Sequence, residues 1–168
     1  MSINNYRLNL LNVKNENIHI ITKCKEKVIK NKKYKIVEGI LTYTPHSCPC
    51  CGIVNQSTND IIKWGFRKNC IVKISKQGNC LTKLILHKQR FFCKHCNNTF
   101  IAETNVVSRN KNISNNTDLQ IKIKLMKKQS KKDIAKITDV SVSAIDRVLN
   151  QISSHTVLRH PTLPISMN

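Results

Sequence analysis

The sequence predicts an α+β fold in which a small β-rich unit is followed by a short helical unit. Between residues 33 and 105 the apolar runs are rich in β-branched and aromatic residues and are separated by turn-forming residues, which is typical of strands. From residue 117 to 152 helix-start residues precede apolar positions at helical spacing. The third observation is the presence of eight cysteines, because units this small often need a metal or a covalent constraint to be stable.

The predicted organisation has five parts. Residues 1–32 are a polar lead-in with short apolar clusters, and we expect them to have little regular structure. The β-rich unit covers 33–105, a polar linker 106–116, the helical unit 117–152 and a linker remnant 153–168. Within the β-rich unit, strands are predicted at residues 34–43, 61–66, 70–74 and 81–92, with a turn at Gln77-Gly78-Asn79.

The chain is strongly basic, with 29 Lys plus Arg against 9 Asp plus Glu and a formal net charge of +20. The excess is spread along the chain: residues 1–47 carry +6, residues 48–100 carry +8 and residues 101–168 carry +6. An AT-rich genome favours Lys, Asn and Ile, but that bias does not explain the scarcity of acidic residues. The charge therefore predicts a polyanionic partner whose affinity falls steeply with salt.

The first thirty residues contain no apolar stretch long enough for a signal peptide or a membrane span. We therefore expect a protein of the reducing cytoplasm with no membrane partner. In that compartment the cysteines are thiols or metal ligands rather than disulfides.

Four of the cysteines form two Cys-x-x-Cys pairs, Cys48 with Cys51 and Cys93 with Cys96. Two such pairs suit one tetrahedral Zn²⁺, and a closed four-sulfur site is structural rather than catalytic. The 41 residues from Gly52 to Phe92 that separate the pairs exceed the roughly 15–20 of the commonest pattern. Strand-like sequence fills this gap, so we expect a long hairpin between the pairs and interpret residues 33–105 as a zinc ribbon with structural Zn²⁺.

Other readings of the cysteines and nearby histidines are weaker. A Cys-x-x-Cys redox site belongs beside a βαβ pattern, which is absent from this sequence. Cys50 is expected to point away from the metal, and His46 and His95 to face solvent. The remaining cysteines are interpreted as small buried residues without a role: Cys24, Cys70 and Cys80.

The helical unit has the signals of a helix-turn-helix. Ser130 and Asp133 form a capping box, Asp139 takes a turn position that requires left-handed geometry, and Ser141 caps the last helix. A preceding helix over residues 117–128 is expected to be amphipathic through Leu119, Ile123 and Met126, with Ile121 and Leu125 beside them. Double-stranded DNA is the expected partner. The residues expected to contact it are Ser141, Ser143, Ala144, Arg147 and Asn150 on the last helix, and Lys127, Lys128, Lys131 and Lys132 before it.

Taken in order, these segments resemble the N-terminal part of bacterial insertion-sequence transposases of the ISL-three family. The resemblance covers nearly the whole chain. It is carried by Gly39 with Leu41-Thr42-Tyr43, Cys48-Pro49-Cys50-Cys51-Gly52, Trp64-Gly65-Phe66, Lys88 to Cys96, Thr99-Phe100, Ile113 to Asn116, Lys132 to Lys136, Val140-Ser141 and Arg147-Val148.

The resemblance implies a zinc ribbon and a helix-turn-helix that recognise the terminal inverted repeats of a transposon. In the family these precede a ribonuclease-H-like core with an acidic catalytic triad, which begins soon after a Leu-Pro such as Leu163-Pro164. This sequence is expected to be a fragment truncated before that core and lacking it, so the chain as it stands is not expected to be an enzyme. Association with itself or with full-length transposase, in the bacterial cytoplasm at the nucleoid, is also implied.

Two positions depart from the family pattern, and other functions stay open. Ala144 stands where the family often has Thr, and Asp146 stands where a neutral polar residue is usual, so this helix carries a carboxylate that would repel a nearby phosphate. The alternatives are a free-standing transcription regulator of the same build, an RNA- or ribosome-binding zinc ribbon, and an enzyme whose acidic core is encoded downstream or in a partner chain.

Overall fold

A computed structural model of the protein describes Asn4, Leu8 and residues 11–56, 59–77 and 80–157. The chain divides into two compact units, Met1–Asn116 and Thr117–Asn168. The first contains a six-stranded sheet and the second contains most of the helical residues, so the described protein is a mixed α+β fold, as predicted.

The sheet of the first unit is built around two long central strands. In chain order its strands are β1 (Ile18–Ile20), β2 (Lys25–Ile29), β3 (Lys32–Leu41), β4 (Ile61–Gln77), β5 (Cys80–Cys93) and β6 (Thr99–Ile101). The strand order is β1-β3-β5-β4, with β2 also on β3 and β6 also on β5. β3 and β5 are parallel, and every other pair is antiparallel.

The long hairpin expected between the cysteine pairs is confirmed. β4 and β5 pair from Ile61↔Cys93 to Gln77↔Cys80, and the connecting residues 78–79 lie outside the described part of the chain. The two strands predicted at 61–66 and 70–74 are one strand of 17 residues, interrupted by register shifts rather than by a loop. Irregular pairing of this kind keeps a strand continuous while bending it.

The expectation of little regular structure before residue 33 is wrong for residues 18–29. β1 and β2 pair with successive stretches of one edge of β3, at Gly39–Leu41 and Lys32–Ile36, and Ile18 is fully buried. Gly39 lies opposite Ile20, and a Cβ at Gly39 would come within 3.2 Å of the His19 carbonyl oxygen. Short strands like these are stabilised by an existing sheet edge, a non-local interaction that local sequence patterns do not reveal.

The core of the first unit lies under the two parallel strands. Leu84 and Leu86 of β5, and Val37 and Leu41 of β3, are 5% exposed or less. Strands buried at the centre of a sheet carry such dense apolar sequence because neighbouring strands and loops cover them.

Three helices are described in the second half of the chain. They are α1 (Asn115–Met126), α2 (Lys131–Thr138) and α3 (Val142–Val157). The predicted cap of α2 is confirmed, since the Asp133 N–H donates to Ser130 Oγ at 3.1 Å. Asp139 ends α2 with φ 55°, the left-handed conformation expected of it. Ser141 Oγ accepts from the Ala144 N–H at 3.3 Å, so Ser141 satisfies a free donor at the start of α3.

The apolar face predicted for α1 is wrong. The buried residues of α1 are Thr117, Asp118 and Ile121, whereas Leu119, Ile123 and Met126 are exposed. The helix turns a mainly polar side inward, and Asp118 makes an ion pair with Lys122 at 2.8 Å. Apolar spacing alone cannot show which side of such a helix is covered.

No helix among the described residues is both long enough and apolar enough to cross a membrane.

A truncation in the central strand tests whether β5 carries the core. We expect Leu84→Ala to lower the free energy of unfolding by about 2–5 kcal/mol, because Leu84 is fully buried and the cavity cannot collapse completely. Ile71→Ala, on the neighbouring strand but 50% exposed, is the matched control and should change it by at most about 0.5 kcal/mol. Urea unfolding followed by far-ultraviolet circular dichroism measures both, and equal losses would contradict the assignment of the core.

Candidate metal centre

The sheet topology brings the two cysteine pairs to one end of the first unit. The first pair follows the end of β3 and precedes Ile61, where β4 starts. β4 then runs the length of the sheet, and β5 returns so that Cys93 pairs with Ile61. The outward and return strands nearly match in length, at 17 and 14 residues, and they explain the long gap between the pairs.

The four sulfur atoms form a compact group. The Sγ atoms of Cys48, Cys51, Cys93 and Cys96 all lie within 4.8 Å of one another. Cys48 Sγ is 3.7 Å from Cys96 Sγ, and Cys51 Sγ is 3.8 Å from Cys93 Sγ. A tetrahedral ion with metal–sulfur bonds of about 2.3 Å requires sulfur–sulfur distances of about 3.8 Å. The predicted set of four cysteines is therefore a group that can hold a metal ion.

The first pair lies on a tight loop closed by backbone hydrogen bonds. The Gly52 N–H donates to the Cys48 carbonyl at 2.9 Å, and the Cys48 N–H donates to the Ile53 carbonyl at 2.9 Å. Gly52 has φ 75°, a conformation that only glycine adopts without strain. The Cys50 N–H points at Cys48 Sγ at 3.4 Å, a contact that stabilises a thiolate there.

The second pair repeats this arrangement with a different residue. The Cys93 N–H donates to the Asn98 carbonyl at 2.9 Å, and Asn97, directly after Cys96, has φ 56°. Asn97 thus occupies the position that Gly52 occupies in the first loop. Asparagine is among the few residues besides glycine that tolerate this geometry, and that tolerance was the signal in the sequence that could have identified its role.

The pKa values of two of the four thiols are shifted in opposite directions. Burial raises the pKa of the Cys48 thiol, but the N–H groups of Cys51 and Cys50 outweigh it, and the pKa lies below its usual value. The Ile53 N–H favours the Cys51 thiolate, but desolvation and the hydrogen bonds with the other three sulfurs raise the Cys51 pKa to about 12. Ionisation of one thiol in the group is therefore favourable, whereas ionisation of all four is unfavourable. A cation among the sulfurs would reverse this balance and release protons.

The remaining cysteines and the histidines lie outside this group. Cys50 is exposed and is not a member of the cluster, in agreement with the expectation. His46 and His95 are exposed, also as expected. The interpretation of the other three cysteines as buried is wrong, since Cys24 is exposed and Cys70 and Cys80 are half-buried.

An aromatic cluster supports the sulfur group from below. Phe91 is fully buried and lies in the same core as Cys48 and Cys93. Its ring centroid is 5.5 Å from that of Tyr43 and 5.3 Å from that of Phe100. Phe92 instead contacts Trp64, with a centroid distance of 5.3 Å. Successive residues of a strand point to opposite faces, so Phe91 and Phe92 cannot share one.

The residues expected to contact DNA belong to the helices and to the segments between them. Ser141, Ser143, Arg147 and Asn150 are exposed, and Ala144 is half-buried. Exposed lysines precede them at positions 127, 128, 131 and 132. Lys131 is not free, because its Nζ lies 2.6 Å from an Asp146 carboxylate oxygen. This ion pair, which the sequence did not reveal, gives the unusual carboxylate of Asp146 a partner within the protein.

Together, the fold and the sulfur group define an α+β protein with a four-thiol site able to hold a metal ion. In comparisons with known proteins, no family model, no curated protein and no solved structure matches this chain. The resemblance to ISL-three transposases therefore stays a prediction.

Substitution of single cysteines tests the ligand set. We expect the reduced protein to bind one Co²⁺ with the thiolate charge-transfer and visible bands of a tetrahedral sulfur site, and Zn²⁺ to displace it. Replacing any one of Cys48, Cys51, Cys93 or Cys96 by Ser should weaken binding by more than about 100-fold, since loss of an outer-shell partner alone costs about 10–100-fold. Cys50→Ser is the matched control. A loss with Cys50→Ser as large as that with Cys51→Ser would contradict the assigned set.

Proposed function

We propose that this chain is a zinc-stabilised DNA-binding protein. Its helical unit acts as a helix-turn-helix on double-stranded DNA, and the four-thiol site holds structural Zn²⁺. The observation that carries the proposal is the α2–turn–α3 arrangement, which leaves a polar face of α3 with Arg147 exposed in a chain of net charge +20. The proposal assigns no catalytic step to the chain.

The chemistry of the four sulfurs supports zinc in a structural role. Zn²⁺ favours tetrahedral thiolate coordination and has no redox chemistry that would oxidise its ligands. Four protein ligands leave no open position for water, so such a site stabilises a fold rather than activating a nucleophile. Cys48 and Cys93 are both part of the hydrophobic core, so metal binding would be coupled to the packing of the first unit.

The geometry around the turn supports the helix-turn-helix assignment. α2 ends at Thr138, Asp139 reverses the chain, and α3 starts at Val142, so the connection is three residues long. Ile134, Val140 and Ile145 are 4% exposed or less and form the apolar side of the pair. The opposite side of α3 is free to approach a groove, and its first two turns carry most of the candidate base contacts.

Electrostatics supports a duplex partner for this face. Arg147 is exposed, and its Nε donates to the Ser143 carbonyl at 3.4 Å, which leaves the other guanidinium donors available. Arg is the side chain most often used to read guanine in the major groove. The lysines at 127 and 128 precede α2, and Lys132 lies in its first turn; all three are exposed and can contact phosphates.

The specific DNA that we propose is the pair of terminal inverted repeats of a transposon. Support comes from the ordered motifs shared with ISL-three transposases, which place the same two modules in the same order. The protein would then act at the bacterial nucleoid, alone, as an oligomer or with full-length transposase. Sequencing the genomic fragments that the purified chain retains distinguishes transposon ends from the promoters that a free-standing regulator would bind.

Loss of Arg147 tests the recognition surface. We expect Arg147→Ala to weaken binding to a duplex selected from a random library by roughly tenfold, the range for one base-reading arginine, without changing the circular dichroism spectrum. Arg109→Ala removes the same charge from an exposed site of the first unit and should have a much smaller effect. Fluorescence anisotropy at fixed salt measures both. Equal losses would mean that α3 contributes charge but no specific contact.

The ion pair between Lys131 and Asp146 gives a gain-of-affinity test. Asp146→Asn removes a carboxylate from the exposed side of α3 and releases Lys131 for a phosphate, so duplex affinity should rise several-fold. The affinity should also fall more steeply with salt, since one more cation would displace a counterion. Glu103→Gln, which removes a carboxylate paired with Arg109, is the matched control. An unchanged affinity for Asp146→Asn would place this side of α3 away from the phosphates.

A further inference from the structure

One side of α1 presents a row of exposed apolar side chains. Leu119 is 54% exposed, Ile123 44% and Met126 77%, and the three follow one another at intervals of four and three residues. At 3.6 residues per turn they fall within an arc of about 60° around the helix. We call these three residues the α1 stripe. One exposed apolar residue is ordinary, but three in a row on one helix mark an interaction surface.

The rest of α1 is anchored within the protein. Thr117 and Ile121 are fully buried, and Leu125 is half-buried. Beside the α1 stripe, Lys122 Nζ lies 2.8 Å from an Asp118 carboxylate oxygen, which ties two successive turns of the helix together. The stripe is therefore displayed on a helix whose position is fixed, and a partner that binds it orders little additional backbone.

The α1 stripe is locally neutral in a chain of net charge +20. The ion pair of Asp118 with Lys122 flanks it on one side, and the uncharged Gln120 flanks it on the other. A polyanion gains little electrostatic energy from such a surface. A second neutral apolar surface, in contrast, can approach it without bringing like charges together.

The charges at the two ends of α1 make the helix complementary to a reversed copy of itself. Asp118 lies in the first turn and Lys124 in the last, and Lys127 and Lys128 follow the helix. Antiparallel packing of two copies brings the basic end of each helix near the acidic end of the other, whereas parallel packing brings like ends together. The helix dipoles favour the same antiparallel arrangement.

We propose that the α1 stripe is a self-association surface, through which two copies of this chain pair by antiparallel α1 helices about a two-fold axis. Ile123 then packs against its own copy at the axis, and Leu119 packs against Met126 of the second copy. Three side chains and their flanks cover less than the roughly 800 Å² per partner of a standard interface. The dimer is therefore weak, with a Kd on the order of micromolar or above. The inference does not depend on DNA binding.

Sedimentation equilibrium of the zinc-loaded full-length chain, freed of nucleic acid, tests the proposal. We expect the average mass to rise from one copy toward two as the protein concentration increases. Ile123→Ala should raise the Kd of the dimer roughly tenfold, because the truncation occurs twice at the axis. Val28→Ala, which truncates a 62% exposed apolar residue of the first unit, is the matched control and should leave the Kd unchanged. A parent chain that is monomeric at every concentration would overturn the proposal.

Two complementary variants test both the partner and the direction of pairing. Leu119→Glu and Met126→Lys each place an unpaired charge in the interface, so either variant alone should be monomeric. Mixed in equal amounts they should form a heterodimer, since antiparallel helices place the introduced carboxylate against the introduced ammonium group. Both changes suit the helix dipole, so α1 should be retained. A mixture that stays monomeric while the parent chain dimerises would overturn the antiparallel pairing.

Further measurements separate lost association from a lost fold and from lost DNA binding. The circular dichroism and Co²⁺ spectrum of each variant must match those of the parent chain. Arg147→Ala should leave the sedimentation behaviour unchanged, so failure of the duplex site and failure of the α1 stripe are distinguishable. Equal weakening of the dimer by Ile123→Ala and Val28→Ala would contradict the assignment of the interface to α1.

Discussion

The convergence of four sulfur atoms at one end of the sheet is the constraint on which the first unit depends. Thiolates within 4.8 Å of one another repel in the absence of a cation, and the pKa of the Cys51 thiol is raised by desolvation and by its hydrogen bonds with the other three sulfurs. Backbone hydrogen bonds close both loops, and Gly52 and Asn97 adopt left-handed conformations in them. The two loops thereby hold the four sulfurs close together. A metal ion bound among the four sulfurs would therefore stabilise the joint between the start and the end of the β4–β5 hairpin.

The four-cysteine group could be predicted from sequence because the relevant information is local. Each Cys-x-x-Cys pair lies on its own short loop, and two such pairs predict one group able to hold a metal ion. The caps of the helices were equally accessible, since Ser130, Asp133 and Asp139 act on neighbouring backbone groups. Where the geometry is set within four residues, residue type and spacing were sufficient.

Features set by distant partners could not be predicted in this way. β1 and β2 form because β3 offers a sheet edge, and the sequence of residues 18–29 does not predict that pairing. The parallel pairing of β3 with β5 depends on the crossover through the first cysteine loop and the whole of β4. The buried side of α1 contains Thr117 and Asp118, so apolar spacing pointed to the wrong face. The ion pair of Lys131 with Asp146 joins two helices, so each residue has a partner within the protein that the sequence did not reveal.

The distribution of charge links the fold to the proposed partner. Lys73 pairs opposite Lys83, as Arg67 does opposite Lys88, so the longest hairpin of the protein places like charges face to face at two levels. Internal relief is partial: Lys83 lies 3.7 Å from the centre of the Tyr34 ring, a favourable contact between a cation and an aromatic face. A sheet selected for stability alone would alternate the signs of such pairs. The repulsion is explained if the hairpin binds phosphates in its function. Their negative charge would offset the repulsion between the opposed cations, which is unfavourable in the free protein.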